Sequence, residues 1–252
     1  MNDFLNPTVW AVLSLLVSTI VLIGVAFLRR RSEPEIRLRE IPALSNLRDE
    51  LGQAAETGKP LHIALGNGRI GSVDTLSSLA GLQVLEGLVD AAIAYDVAPI
   101  ITVGDPTLLP LAQDVLRRAY ERSQIPEFYD PGQVRFVAPS PLAYAAGAVP
   151  LGAPEEVTVN ATVGAFEAEV SLIADAGERR GATNVGAVDV PQAIGALYPA
   201  TDRLAVGEEL YAAGAQITQK DKYTTSLITE DILRVLVVVA ILGAAILALI
   251  RG

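Results

Sequence analysis

Two uncharged apolar runs bracket this chain, and they restrict what it can become. The first, Val9–Leu28 (VWAVLSLLVSTIVLIGVAFL), holds 20 residues. At about 1.5 Å per helical residue it covers about 30 Å, the thickness of a bilayer core. The second, Val235–Ile250 (VLVVVAILGAAILALI), holds 16 residues and reaches about 24 Å. Ile232 and Leu233 lengthen it if Arg234 snorkels to the interface. A cleaved signal peptide carries its positive charge ahead of the apolar run. Here MNDFLNPT carries only Asp3, and Arg29-Arg30-Arg31 follow the run. The expectation is therefore two transmembrane helices, one with its basic flank in residues 1–31 and one in residues 232–252.

Basic residues near the end of a span stay on the cytoplasmic side. Arg29, Arg30, Arg31, Arg37 and Arg39 follow the first run; Lys220, Lys222 and Arg234 precede the second; only Arg251 lies beyond it. Both termini are thus expected outside a cell (inner) membrane, with the middle of the chain in the cytoplasm. The absence of cysteine is compatible with that compartment. Residues 32–230 carry 14 basic and 27 acidic side chains, a net charge of −13. Such a surface repels nucleic acid and anionic lipid, so nucleic acid is not an expected partner.

Within the middle, residues 32–60 read as a charged juxtamembrane linker with a short helix at Ala43–Glu56, where Leu44, Leu47 and Leu51 recur at helical spacing. Residues 61–218 then alternate. Strands are expected at Leu61–Leu65, Pro99–Val103, Val134–Ala138, Val157–Val163 and Asn184–Val188. Helices are expected at Asp74–Tyr95 with Leu79, Leu82, Leu85, Leu88 and Val89 on one face, from Pro106 through Arg122 with Asp105 as cap, over PLAYAAGA, at Phe166–Arg179, at Pro191–Leu197 and at Arg203–Ala213. Residues 219–231 read as a second linker. Alternating strands and helices build right-handed βαβ units, and continuous apolar strands fit a sheet covered on both faces. The expected fold is α/β: a Rossmann-like open, mostly parallel sheet flanked by the two terminal helices.

The stretch Gly66-Asn67-Gly68-Arg69-Ile70-Gly71, between the first strand and the first helix, matches G-x-G-x-x-G. In a dinucleotide fold those glycines bring a pyrophosphate to a helix N-terminus, and an acid about 20 residues on holds the ribose. Here the first acid after the next strand is Asp105, 34 positions past Gly71, and Pro106 after it makes it a helix start. The helix also begins near Asp74, after the third glycine. Two readings remain open: a tight turn with Ser72 or Asp74 as cap, and an anion or nucleotide loop formed by Gly66, Asn67, Gly68, Arg69 and Gly71, where the guanidinium would suit an anion.

Other constellations are poorer. His62 is the only histidine, and inside a strand it reads as a satisfied core residue. Zinc, iron–sulfur and haem sites lack ligands, and nucleophile–histidine systems lack partners, so no metal and no cofactor is implied. Glu155-Glu156 and Glu208-Glu209 read as solvated faces. Asp105, Ser140 and Asp189 follow strands, where open α/β sheets bind ligands, yet each stands just before a proline and reads as a cap. The apolar runs hold no charge for an ion path. Ala240, Ala244 and Ala248 form a small-residue stripe that would let helices approach in lipid.

The blocks HIALGNGRIGSVDTLSSLAGL, IITVGDPTLLPLAQD and YAAGAVPL, with an apolar span at each end, resemble a family of uncharacterised bacterial membrane proteins, a domain of unknown function. The resemblance covers most of the chain. It implies a membrane-attached α/β domain and transfers no catalytic residue. The functional expectation is a non-enzymatic scaffold subunit of a membrane-anchored homo-oligomer, a ring if its contacts close, with room for other membrane subunits. The alternative is a nucleotide- or anion-sensing domain binding at the Gly66–Asp74 loop.

Overall fold

The structure, a computed structural model, describes residues 41–44, 47–152, 157–201 and 203–218, with single positions between 17 and 24 and between 232 and 238. The chain divides into two units, Met1–Leu38 with Gln219–Gly252, and Arg39–Thr218. In the first unit the described positions Val17, Thr19, Ile20, Val21 and Gly24, and Ile232, Leu233, Val235, Val237 and Val238, are all helical. Most of both expected spans, the Ala240–Ala248 stripe included, lies outside the described residues.

The second unit opens with helix α1 (Leu47–Thr57) and then alternates: β1 (Leu61–Gly66), α2 (Thr75–Ala94), β2 (Pro99–Val103), α3 (Leu108–Arg122), β3 (Val134–Phe136), α4 (Pro141–Gly152), β4 (Val159–Ala165), α5 (Val170–Glu178), β5 (Thr183–Val188), α6 (Pro191–Leu197), β6 (Arg203–Val206) and α7 (Glu209–Thr218). The six strands form one sheet in the order β3-β2-β1-β4-β5-β6, and every pair is parallel. This is the Rossmann-like doubly wound order, whose direction of winding reverses between β1 and β4.

Each face of the sheet is covered. On one side Ile63, Ile101, Val163 and Ala187 pack with Leu51 of α1, Leu85 and Leu88 of α2, Leu116 of α3 and Leu210 of α7. On the other, Ala64 and Val188 pack with Tyr144 of α4, Ile173 of α5 and Leu197 of α6. Strands buried on both faces explain why they read as apolar runs without alternation.

Three local expectations change. Arg203–Ala213 is a strand followed by a helix: Arg203–Val206 pairs with β5, Gly207 at φ +62° turns the chain, and α7 follows. The edge pairing and an ion pair between Arg203 and Glu50 of α1 outweigh local helical preference. Residues 41–57, expected as linker, belong to the α/β unit: Ile41, Leu51 and Ala54 are buried, because α1 adds an apolar stripe that covers the sheet. On α2, Leu79 is 41% exposed while Ser78 and Gly81 face inward. A Cβ on Gly81 would meet Gly164 Cα at 3.0 Å, so small residues are what let α2 settle on the β4 backbone.

Among the described residues one helix, Thr75–Ala94, is long and apolar enough to cross a membrane. It is α2, whose apolar length is spent on the core. Helix α7 runs beside α2 in the same direction, since Tyr211 meets Ser77, Gly214 meets Gln83, and Ile217 and Thr218 meet Gly87. Ile41 N donates to Gln216 Oε1 at 2.7 Å. The chain therefore enters and leaves this unit at one end, opposite the β1–α2 connection.

Candidate functional site

The glycine loop leaves the C-terminal end of β1, at the point where the winding reverses and where open α/β sheets form a crevice. Gly66 has φ +75°, and a Cβ there would lie 2.0 Å from Ala165 O; no other residue fits between β1 and β4. Asn67 N donates to the same carbonyl at 3.0 Å. A Cβ on Gly68 would strike Ser78 Oγ at 2.1 Å. Gly71, at φ +93°, meets nothing within 4 Å: its glycine serves the turn alone.

Beyond Gly68 the loop satisfies its own backbone. Ile70 N donates to Thr107 Oγ1 at 3.1 Å and Gly71 N to Thr75 Oγ1 at 2.9 Å. Ser72 Oγ donates to Arg69 O at 2.8 Å and accepts from Asp74 N at 3.1 Å. The long spacing seen in the sequence comes from this turn, which delays the start of α2 to Thr75, and mainly from the 20 residues of α2 itself. Asp74 takes the N-cap position without a side-chain capping bond. Of the five expected loop residues, Gly66, Asn67 and Gly68 pack against Ala165, Gly104 and Ser78, and Arg69 and Gly71 lie on the exposed turn. Asn67 Oδ1 and Nδ2, Ser78 Oγ and Asp189 Oδ1 are buried without a hydrogen-bond partner among the described residues.

The three acids and hydroxyls read as caps divide. Asp105 is not the N-cap: that position is Thr107, and Asp105 Oδ1 accepts from Thr107 N at 2.8 Å and Thr107 Oγ1 at 2.5 Å, fixing the turn just ahead of α3. Ser140 stands at the start of α4, its carbonyl accepting from Tyr144 N at 2.8 Å. Asp189 is not a cap. The N-cap of α6 is Val190, with no side-chain bond. Asp189 Oδ2 instead accepts from Ser77 Oγ at 2.5 Å and Tyr211 Oη at 2.7 Å, tying β5 to α2 and α7. A carboxylate beside the first turn of α2 also suits the positive helix end. No local signal announces this, because Ser77 is 112 residues away.

His62, expected as a satisfied core residue, is 0% exposed and central to a buried polar ladder. Its Nδ1 lies 2.7 Å from Asn160 Oδ1 and its Nε2 lies 3.0 Å from Thr102 Oγ1. Asn160 Nδ2 donates to Asn184 Oδ1 at 2.8 Å and Ile173 O at 3.2 Å. Its Oδ1 is therefore the acceptor, and His62 carries its proton on Nδ1. Asn184 Nδ2 ends the ladder on Ala174 O and Ala200 O. At the other end Tyr144 Oη lies 3.0 Å from Thr102 Oγ1 and accepts from Gly66 N at 3.4 Å. His62, Asn160 and Asn184 are in register across β1, β4 and β5. Burial pulls the His62 pKa from 6.5 to about 4, so the ring is neutral, and burial pushes the Tyr144 phenol upward. The ladder joins the sheet interior to the first glycine of the loop.

Glu209 Oε2 accepts from Val206 N at 3.1 Å, a turn contact rather than half of an acid–base pair; Glu155 and Glu156 lie outside the described residues. No group of three His, Cys, Asp or Glu suited to a metal occurs among the described residues. The buried polar atoms without a partner near the start of α2 are an amide, a hydroxyl and one carboxylate oxygen.

No curated protein and no solved structure matches the chain. One family does: the chain belongs to DUF6754, a domain of unknown function, which matches residues 2–252.

Proposed function

We propose that this DUF6754 member is a membrane-anchored, ligand-responsive subunit whose cytoplasmic Rossmann-like domain binds a small polar molecule in the crevice at the Gly66–Asp74 loop. One observation carries the reading. The loop starts at the reversal point of a β3-β2-β1-β4-β5-β6 sheet, and the buried polar atoms of Asn67, Ser78 and Asp189 around it lack partners. Buried polar groups are nearly always paired, and reversal points are where such sheets hold ligands. Anchoring follows from the two uncharged runs, and orientation from the arginines beside them. The test is binding to the full-length protein in detergent or nanodiscs. A panel of NAD, NADP, ATP, GTP, FAD, sugars and inorganic anions should contain at least one compound that raises the melting temperature saturably and slows hydrogen exchange in residues 66–78. If the whole panel is silent at millimolar concentration, the reading fails. For a nucleotide or anion, Arg69→Ala should weaken the effect.

A second reading is the scaffold: a homo-oligomer, cyclic if its contacts close. It is favoured by Val73, Leu76 and Leu79 on the outer side of the α2 start, 96%, 67% and 41% exposed, a stripe suited to a protein contact. Tethering raises local concentration, so weak contacts between domains suffice. Mass photometry in several mild detergents tests it, and monomer alone at micromolar concentration refutes it.

A further inference from the structure

Two surfaces on opposite faces of the sheet match each other. Helix α2 lies on one face, and at its start Val73, Leu76 and Leu79 are 96%, 67% and 41% exposed. Leu76 and Leu79, three residues apart, are neighbours on the helix surface, and Val73 stands just ahead of them. Asp74 lies within this stripe; its Oδ2 accepts from Ser72 Oγ at 3.2 Å, and it forms no ion pair among the described residues. Helices α4 and α5 lie on the other face, with a groove between them. Its apolar lining is Ala146 and Val149 of α4 with Leu172 and Ala176 of α5. At the C-terminal end of α5, Asp175 holds Arg179 at 3.0 Å. Arg180 also lines the groove, is exposed, and forms no ion pair among the described residues.

Size and charge select the same pairing. The stripe carries projecting side chains, and the two alanines of the groove leave the kind of space that such anchors fill. Two stripes meeting across a two-fold axis would set Asp74 against Asp74, in domains that already carry −13 over residues 32–230, and like charges repel. The groove presents Arg180 instead. We infer that the α4–α5 groove receives the α2 start of a second copy of this chain, with Val73 and Leu76 against its apolar lining and Asp74 paired to Arg180. The inference rests on the scaffold reading above and names both sides of its contact. Because the two sides lie on opposite faces of one sheet, a copy cannot close the contact on itself. Each copy offers a stripe to one neighbour and a groove to the other, and a head-to-tail contact of this kind makes a ring when its rotation closes.

The experiment uses the full-length protein in mild detergent. The chain has no cysteine, so introduced thiols are the only ones. With a short bismaleimide, the chain carrying both Leu76→Cys and Ala176→Cys should give a ladder of dimer, trimer and higher species. Co-expressed copies carrying Leu76→Cys in one and Ala176→Cys in the other should stop at dimer, and either substitution by itself should give no product. In mass photometry, Asp74→Lys and Arg180→Glu should each raise the midpoint concentration of assembly at least tenfold, and the two together should bring it back to within about threefold of wild type. The thiol pairs carry the test if a charge variant fails to fold. Assembly in which Leu76→Cys links to itself, or in which the double-cysteine chain gives no ladder, overturns this inference and leaves the scaffold reading standing. Failure of the two folded charge variants to compensate each other also overturns it. Monomer alone at micromolar concentration overturns both.

Discussion

His62 shows how much one buried side chain can determine. Unfolded, it titrates near 6.5; folded, burial lowers it to about 4. Above pH 6.5 both states are neutral and the histidine adds no pH dependence. As pH falls from 6.5 to 4, the unfolded chain takes a proton that the folded chain refuses, so stability is lost over that window. At about 1.4 kcal/mol per unit the loss reaches about 3 kcal/mol by pH 4. Thermal melts of the full-length protein between pH 7.5 and 4.5 should therefore fall more steeply for wild type than for His62→Gln; equal slopes would show that the ring is not held neutral. At neutral pH, His62→Ala strands Asn160 Oδ1 and Thr102 Oγ1 and leaves a cavity, a loss of about 2–4 kcal/mol. Gly66 and Gly71 offer a contrast within one motif. Gly66→Ala drives a Cβ to 2.0 Å from Ala165 O at positive φ and should cost roughly 2–5 kcal/mol. Gly71→Ala has space around it, and its left-handed backbone should cost about 1–2 kcal/mol. Denaturant midpoints of the two variants check the order; a reversal would mean that the loop does not sit against β4.

At the scale of elements, α2 carries two opposed demands. Its inner side gives up large residues so that Gly81 can approach Gly164 and Gly87 can approach Ile217. Its outer start exposes Val73 and Leu76. If that stripe contacts another domain, Leu76→Asp should reduce the assembled fraction in mass photometry and leave the melting temperature of the dissociated protein within about 2 °C, since exposed substitutions change stability little. A stable assembly with Leu76→Asp would remove the stripe from the interface. A large fall in melting temperature would mean that the leucine is packed within its own domain.

For the whole molecule, the prediction is topology. The chain contains no cysteine and a single tryptophan, Trp10, inside the first apolar run. Single cysteines placed at Asn2 and at Gly252 should react with an impermeant maleimide in intact spheroplasts, and one at Thr57 only after lysis. Reaction at Thr57 in intact cells would overturn the orientation. Brominated lipid tails should quench Trp10 in reconstituted protein, and unquenched fluorescence would place that run outside the bilayer. Within the α/β unit, Ile41 and Gln216 bring the entering and leaving chain together, away from the glycine loop.

Local chemistry wrote much of the α/β unit into the sequence. Apolar strands such as Pro99–Val103, glycines at turns and Asp105-Pro106 before a helix act over a few residues, so strand–helix alternation and the place of the glycine loop were legible. Strand order was not, because parallel neighbours such as β1 and β4 meet only after the chain between them has crossed over. The same separation hid Asp189, whose partner Ser77 is 112 residues away, and the His62–Asn160 bond across 98 residues. Arg203–Val206 looked helical because its identity as a strand comes from pairing with β5, an edge that exists only once the sheet has formed. What short-range sterics and hydrophobic periodicity could dictate was determined by the sequence alone. Which buried polar groups find partners, and which around the loop do not, was decided only when distant strands came into register.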